Sequence, residues 1–232
     1  MKIALIGYGA MGKLIRTLAE EKGHEIAVVI DDSDAGLDVA GLAAKLRGVN
    51  AAIDFTTAEA VRRNVDGCLA AGVPLVEGTT GWNSQRDEIE KTVRDGGGAF
   101  VFGANFSIGV NLFYHIADFA AELAAKFPEY EAFIEEQHHS RKIDSPSGTA
   151  LKLKDVVSRN VNVGDIATTR AGNIPGTHRL GFDGPADQIL LKHTARSREG
   201  FASGAILAAE WIVGKKGFFE FTDVIEEILN HR

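Results

Sequence analysis

The sequence predicts an α/β fold: an N-terminal Rossmann-type parallel sheet, then a smaller α+β domain with a mixed or antiparallel sheet. Three observations carry this. A glycine loop, Gly7-Tyr8-Gly9-Ala10-Met11-Gly12, lies between an apolar run and a helical pattern at the start of the chain. Apolar runs and helical patterns then alternate as far as Phe106. Beyond the middle of the chain, strand-like runs succeed one another with no helix between them.

Lys2 to Ile6 (KIALI) reads as the first strand. Leu14, Ile15, Leu18 and Ala19 recur at helical spacing, which predicts a helix from about Ala10 to Lys22-Gly23. His24 to Ile30 is the second strand, ending in Asp31-Asp32. Strand, G-x-G-x-x-G, helix, strand, acid is the order of a dinucleotide-binding unit. Gly7 permits the tight turn, Gly9 the close approach of a pyrophosphate, and Gly12 the packing of helix on strand. Tyr8, Ala10 and Met11 complete the loop, and the free N–H groups of the helix start favour phosphate. The acid, Asp31 or its neighbour Asp32, would accept from a ribose hydroxyl and repel a 2′-phosphate. VVIDDSDAG has no adjacent Arg or Lys to neutralise one, so NADH is expected to serve at least as well as NADPH.

The alternation continues with a strand at Ala51–Phe55 and a helix to about Ala71. A strand led by Pro74–Val76 follows, then a helix over Asn83–Asp95 and a strand at Ala99–Phe102. Repeated βα units imply a parallel sheet whose ligands bind beyond the carboxyl ends of its strands. Gly9, Thr56, Thr79 and Asn105 fall at such ends, within Gly78-Thr79-Thr80 and Gly103-Ala104-Asn105-Phe106 in the last two cases. A long helix is expected over Val110–Lys126, with His115 as a partly buried structural histidine. Then come a strand at Tyr130–Glu136 and a helix at Leu151–Arg159. Strands are expected at Ala167–Arg170, His178–Phe182 and Gln188–Thr194, and helices at Phe201–Val213 and Thr222–Leu229. The domain expectation is 1–106 with 199–232 for dinucleotide binding, and 107–198 for substrate binding and oligomerisation.

Composition narrows the class. Hydrophobic residues make up 45% of the 232 and charged residues 25%, as in a soluble globular protein. The formal net charge of -7, without a basic cluster, argues against a nucleic-acid partner. Cys68 is the only cysteine, which excludes an internal disulfide or a cysteine-based zinc site, and no metal is expected. No apolar run reaches the roughly 18 residues that would suggest a bilayer span. No export segment precedes the glycine loop, so a cytoplasmic location is expected.

The densest chemistry lies in Glu135–Ala150, EEQHHSRKIDSPSGTA. His138 titrates near neutrality and suits a general acid, and Lys142 adds a cation that also donates protons. Ser147-Gly148-Thr149 opens a helix, with hydroxyls and N–H groups suited to a carboxylate. Beside a nicotinamide site, these groups fit hydride transfer to a carboxylated C=C or C=N bond followed by protonation. The plainer readings are a solvated loop and a solvated Lys142–Asp144 pair.

Seven segments (GYGAMG, DFT, EGTTG, ANFSIGVN, EQHHSRKIDSPSGTA, RAGNIPGTH and FASGA) resemble the 4-hydroxy-tetrahydrodipicolinate reductase (dihydrodipicolinate reductase) family over about residues 1–225. The resemblance implies an NAD(P)H-dependent reduction yielding tetrahydrodipicolinate in lysine and diaminopimelate biosynthesis. It implies His138 as proton donor/acceptor, Lys142 as second donor, and His139, Gly148 and Thr149 on the carboxylates of a small dicarboxylate substrate. Gly7 to Gly12, Asp31, Gly78 to Thr80 and Gly103 to Phe106 match the family's cofactor contacts. The family is typically homotetrameric through its substrate-domain sheets. This chain departs in Gln137 before the paired histidines, in a shorter segment near Asn160–Thr168, and in Asp31-Asp32 where Glu-Arg is common. The competing readings are another two-domain NAD(P) oxidoreductase and a non-catalytic NAD(P)H sensor.

Overall fold

The computed structural model of the chain describes residues 1–230. In chain order the regular elements begin with β1 (Lys2–Ile6), α1 (Ala10–Glu21), β2 (Glu25–Ile30), α2 (Val39–Leu46), β3 (Ala51–Asp54), α3 (Ala58–Ala71), β4 (Leu75–Glu77), α4 (Arg86–Asp95) and β5 (Ala99–Phe102). They continue with α5 (Ile108–Ala124), β6 (Glu131–His138), α6 (Gly148–Val157), β7 (Ala167–Arg170), β8 (Thr177–Asp183), β9 (Gln188–Thr194), α7 (Glu199–Ile212), β10 (Gly217–Glu220) and α8 (Phe221–Asn230). Two compact units result. One comprises Met1–Ile108 and the chain from Glu199, the other Gly109–Arg198.

The first unit holds a six-stranded sheet in the order β10-β5-β4-β3-β1-β2, with every neighbouring pair parallel. The four inner strands, β5, β4, β3 and β1, are buried on both faces, as βα crossovers require. One core layer packs Ile15 and Ala19 of α1, several small residues of α7 and Val224 of α8 on the sheet. The other packs Leu42, Leu46, Val61, Val65, Ile89 and Val93 of α2, α3 and α4 on the opposite face. The small side chains of α7 let it lie very close to the backbone: a Cβ on Gly204 would stand 1.7 Å from the Phe106 carbonyl oxygen. The chain leaves β1 toward β2 on one side and places β3 on the other, so the topological switch lies between β1 and β3. That is where open α/β sheets bind ligands.

The second unit carries a mixed sheet, β7-β6-β8-β9, in which β6 pairs parallel with β7 and antiparallel with β8, and β8 antiparallel with β9. Its core joins Val110, Phe113, Ala117 and Ala121 of α5 to Leu153 and Val157 of α6, over Ile134, Leu180 and Phe182 of the sheet. Three differences from the expected elements matter. Helix α2 and strand β10 went unpredicted, and β6 runs on through His138 instead of stopping at Glu136. The last extension puts His138 on a strand, where its direction is fixed by the pleat.

Candidate active site

Residues two apart on a strand share a face, so Glu136 and His138 of β6 point the same way, and both are buried. Sheet register brings three more groups to them. Glu136 lies opposite His178 on β8, His178 opposite His193 on β9, and His138 beside Arg170 on β7. Glu136 is the hub. Its Oε1 accepts from Arg170 Nη2 at 2.7 Å and from the Ser147 N–H at 3.0 Å, and its Oε2 accepts from the Ser147 hydroxyl. His138 Nδ1 lies 3.3 Å and His178 Nε2 3.6 Å from the same Oε2.

The electrostatics follow from this geometry. Burial pushes the Glu136 carboxyl up, but the donors from Ser147 and Arg170 outweigh it and hold it below the usual range. Burial depresses the basicity of His138, with Glu136 pulling the other way. His178 is pushed down to about 4 by burial and then by His138, so it is neutral at physiological pH. Of the two histidines, His138 is the less depressed and so the better suited to exchange a proton.

The turn after β6 wraps a carboxylate-holding corner. Lys142 Nζ meets Asp144 Oδ1 at 2.8 Å. The Asp144 carboxyl is held below its ordinary range first by Lys142, with the backbone N–H of Gly148 also donating to it. The start of α6 and Lys142 thus already hold a carboxylate in common, supplied by the protein itself. Arg170 Nη2 also donates to the Asp144 carbonyl at 2.6 Å, which ties the turn to Glu136. Space around Gly148 is open, since a Cβ there would meet nothing within 4 Å. Thr149 follows it, half-buried, and His139 is half-buried with Nδ1 inside and unbonded.

Ser147 corrects the sequence expectation. Its hydroxyl donates to Glu136, accepts from the Ala150 N–H at 3.2 Å as N-cap of α6, and contacts His178 Nε2 at 3.1 Å. A hydroxyl has one donor and two acceptor positions, and these contacts fill them. Ser147 builds the corner and has no group left to offer a ligand.

The glycine turn of the first unit has the shape a dinucleotide needs. Gly7 has φ +88, and a Cβ there would lie 2.4 Å from the Phe55 carbonyl oxygen across the β1–β3 switch. A Cβ on Gly12 would lie 2.2 Å from the Gly7 carbonyl oxygen, whereas one on Gly9 would meet nothing within 4 Å. The turn is closed against the protein and open above Gly9. Helix α1 starts there with no side-chain cap, which leaves its N–H groups for an anion. Asp31 stands at the end of β2, exposed. The Ser33 hydroxyl and N–H both donate to its Oδ1 and hold the carboxyl below its ordinary range. These residues fit an adenosine ribose and a pyrophosphate.

The other expected cofactor residues divide. Tyr8 and Met11 lie partly buried on the core, with Ala10 exposed at the helix start. Gly78, Thr80, Ala104 and Asn105 line the carboxyl edge of the sheet, although Asn105 Oδ1 accepts from the Ser107 N–H at 2.8 Å. Thr79 Oγ1 accepts from the Thr56 N–H at 3.0 Å, so it joins two turns. Gly78 must be glycine for packing, because a Cβ would enter the Phe55 ring at 2.3 Å, and one on Gly103 would lie 3.1 Å from Phe221. The Phe106 ring is buried in the core against Phe221 at 4.8 Å, which leaves its backbone for a cofactor.

Two family models match the chain in tandem: dihydrodipicolinate reductase N-terminus over residues 1–106 and dihydrodipicolinate reductase C-terminus over residues 109–225. The chain belongs to the dihydrodipicolinate reductase family. A 4-hydroxy-tetrahydrodipicolinate reductase of Christiangramia forsetii is 34% identical, with all of each chain covered. That of Archaeoglobus fulgidus is also 34% identical, over 97% of this chain and all of the relative. Among solved structures, a dipicolinate-bound dihydrodipicolinate reductase from Paenisporosarcina has the same fold, with a TM-score of 0.79 at 23% identity over 96% of this chain and 99% of that one. An engineered D-amino acid dehydrogenase bound to NADP+ is more distant, at a TM-score of 0.60 and 12% identity over 100% and 96%.

Sequence reasoning for this dihydrodipicolinate reductase chain missed Glu136, Arg170 and His178 as site members. The alternation E-x-H in β6 carried a signal for Glu136. Arg170 and His178 lay within the RAGNIPGTH segment, but only strand register brings them to Glu136.

Proposed function

We propose that this protein reduces 4-hydroxy-tetrahydrodipicolinate to tetrahydrodipicolinate with a reduced pyridine nucleotide, in lysine and diaminopimelate biosynthesis in the cytoplasm. One observation carries the reading: His138 sits on the buried Glu136–Arg170 pair, next to a corner where Lys142 and the start of α6 hold a carboxylate. A dicarboxylate substrate needs such a corner, and its reduction needs a proton donor beside it. A sensor of NAD(P)H needs neither, and a sugar dehydrogenase has no use for the corner.

In this reading, His139, Gly148 and Thr149 grip the substrate carboxylates, and Lys142 leaves Asp144 to meet one of them. That exchange is inexpensive, because a half-exposed ion pair is worth about 0–1 kcal/mol. The nucleotide, when bound, supplies the hydride. The substrate's 4-hydroxyl leaves as water, and His138 or Lys142 supplies the proton that completes the reduction, with Glu136 keeping the imidazole in orientation and its charged form accessible. Gly7 to Gly12 take the pyrophosphate and Asp31 the ribose. Lys45, whose charge reaches Asp31, pairs with Asp34, and Arg63 donates to the Ala35 carbonyl at 2.8 Å; neither bonds Asp31, which supports use of NADH at least as well as NADPH. Residues 1–106 with 199–232 form the nucleotide domain and 107–198 the substrate domain. Exposed Ile189 and Leu190 on β9 support association through the sheets into a homo-oligomer, a tetramer by family resemblance.

The test is a coupled assay that generates the substrate from pyruvate and aspartate semialdehyde and follows NADH and NADPH in separate runs. Enzyme-dependent loss of absorbance that requires both precursors is expected. A protein that binds the nucleotide and leaves it unoxidised would support the sensor reading.

A further inference from the structure

Two carboxyl groups that the reductase chemistry does not use lie buried beneath the nucleotide edge of the first unit. Asp54 and Glu77 end β3 and β4, face each other in parallel register, and are both 0% exposed. No Lys, Arg or His of the described residues pairs with either. Their hydrogen bonds are unequal. Asp54 Oδ1 accepts from the Thr56 hydroxyl at 2.7 Å and Oδ2 from the Asn64 amide at 2.6 Å. Glu77 Oε1 accepts from the Thr79 N–H at 2.7 Å, while its Oε2 is buried without a donor. We propose that Asp54 and Glu77 share a single proton, carried on Glu77, and that this acid–carboxylate pair braces the Thr56 and Thr79 turns of the nucleotide edge.

Two buried carboxylates side by side with no cation cannot both ionise, and the one with fewer donors takes the proton. Burial, then the charge of Asp54, pushes the Glu77 carboxyl well up; burial also pushes Asp54 up, against the donors of Thr56 and Asn64. A proton on Glu77 turns its orphan oxygen into a donor toward Asp54. Cys68 on α3 also faces the pair, and burial and both carboxyls push its thiol up, so it stays neutral. The flanking strands present Ile6 to Asp54 and Phe102 to Glu77; on the same face the Arg63 guanidinium stops at the Asn64 amide oxygen, at 3.1 and 3.3 Å, and that of Arg86 lies over the Phe102 ring at 4.7 Å. Among the described residues no cation bonds either carboxyl to replace the proton.

The brace is visible in the bonds that leave the pair. Asn64 also donates to the Thr56 hydroxyl at 3.2 Å, the Thr56 N–H donates to Thr79 Oγ1 at 3.0 Å, and the Thr79 carbonyl accepts from Trp82 Nε1 at 2.8 Å. Ionising Glu77 would set two negative charges beneath both turns. Because the folded carboxyl is raised, the native protein binds more protons than the unfolded chain between the usual carboxylate pKa and the raised one. Stability therefore falls as pH rises through that window, by up to about tenfold in the folding equilibrium constant per pH unit for one proton.

Glu77→Gln keeps the acceptor for Thr79, supplies a permanent donor toward Asp54 and cannot ionise. Urea unfolding of the nucleotide-free protein across pH 5–9 should show the wild type losing stability with pH and the variant losing less, so that the variant is the more stable above pH 8. Parallel pH slopes would overturn the proposal. Should the variant not fold, infrared spectra of the wild type decide: a protonated-carboxyl carbonyl band must persist at pH 7, and its absence would overturn the proposal. The brace rests on the nucleotide reading, and is tested by NADH titration at low and high pH, with affinity falling more in wild type than in Glu77→Gln. Equal losses would overturn the brace, while failure of both proteins to bind NADH at any pH would overturn the nucleotide reading and leave the shared proton to the first two measurements.

Discussion

Replacing Glu136 by Gln probes the hub of the candidate site. The substitution keeps the shape and one acceptor, and removes a charge that faces Arg170 at 2.7 Å in a position with no solvent access. Leaving one member of a buried pair unpartnered costs about 3–5 kcal/mol. Arg170 keeps the Asp144 and Thr169 carbonyls as acceptors, at 2.6 and 3.0 Å, so the lower end, about 3 kcal/mol, is expected in urea unfolding at pH 7. The Glu136 carboxyl is held below its ordinary range, so its contribution is present above the unfolded carboxyl pKa and lost as pH falls through the folded one. Wild type and variant should accordingly converge in acid. Glu136 also favours the charged form of His138, so in the variant the rise of activity with acidification should move to lower pH. A stability loss under about 0.5 kcal/mol, within the scatter of ordinary surface changes, or an unmoved pH profile, would refute the reasoning.

Two further outcomes follow from the same geometry. His138→Ala and Lys142→Ala should each lower kcat by about 10²–10⁴, the range for acid–base groups, measured by nucleotide oxidation at saturating substrate; wild-type turnover in both would remove them from the chemistry. Asp31 at the end of β2 should give kcat/KM with NADH at least equal to that with NADPH, and a clear preference for NADPH in initial-rate assays would sink the argument from its charge.

Much of the fold was legible because its signals are local. The glycine loop, the acid after β2 and the alternation of apolar runs place the first unit's strands within a residue or two. Helix α2 escaped because VAGLAAKL is short, with Gly41 inside it. β10 escaped because four residues headed by Gly217, at φ +134, give little periodicity before α8 takes over. His138 and Lys142, the proposed acid–base groups, stood out by type and spacing, since a proton donor and a cation beside a helix start have few structural uses. The groups that support them were not. Arg170 and His178 reach Glu136 from 34 and 42 residues away through strand register, and a residue type carries no record of its cross-strand partner. Ser147 shows the reverse: its turn chemistry was readable, but burial turned its hydroxyl inward to Glu136. The same holds for Phe106, whose place in the nucleotide segment gave no sign that its ring belongs to the core.

The central claim is that this chain moves hydride from a nucleotide to a cyclic dicarboxylate and completes the reaction with a proton. Mass spectrometry of the product formed with NADH deuterated at the transferring position of the nicotinamide tests it most directly. The account predicts one non-exchangeable deuterium in tetrahydrodipicolinate, its rate of appearance reduced by His138→Ala. Oxidation of the nucleotide with no deuterium in the product, or no product at all, would contradict it.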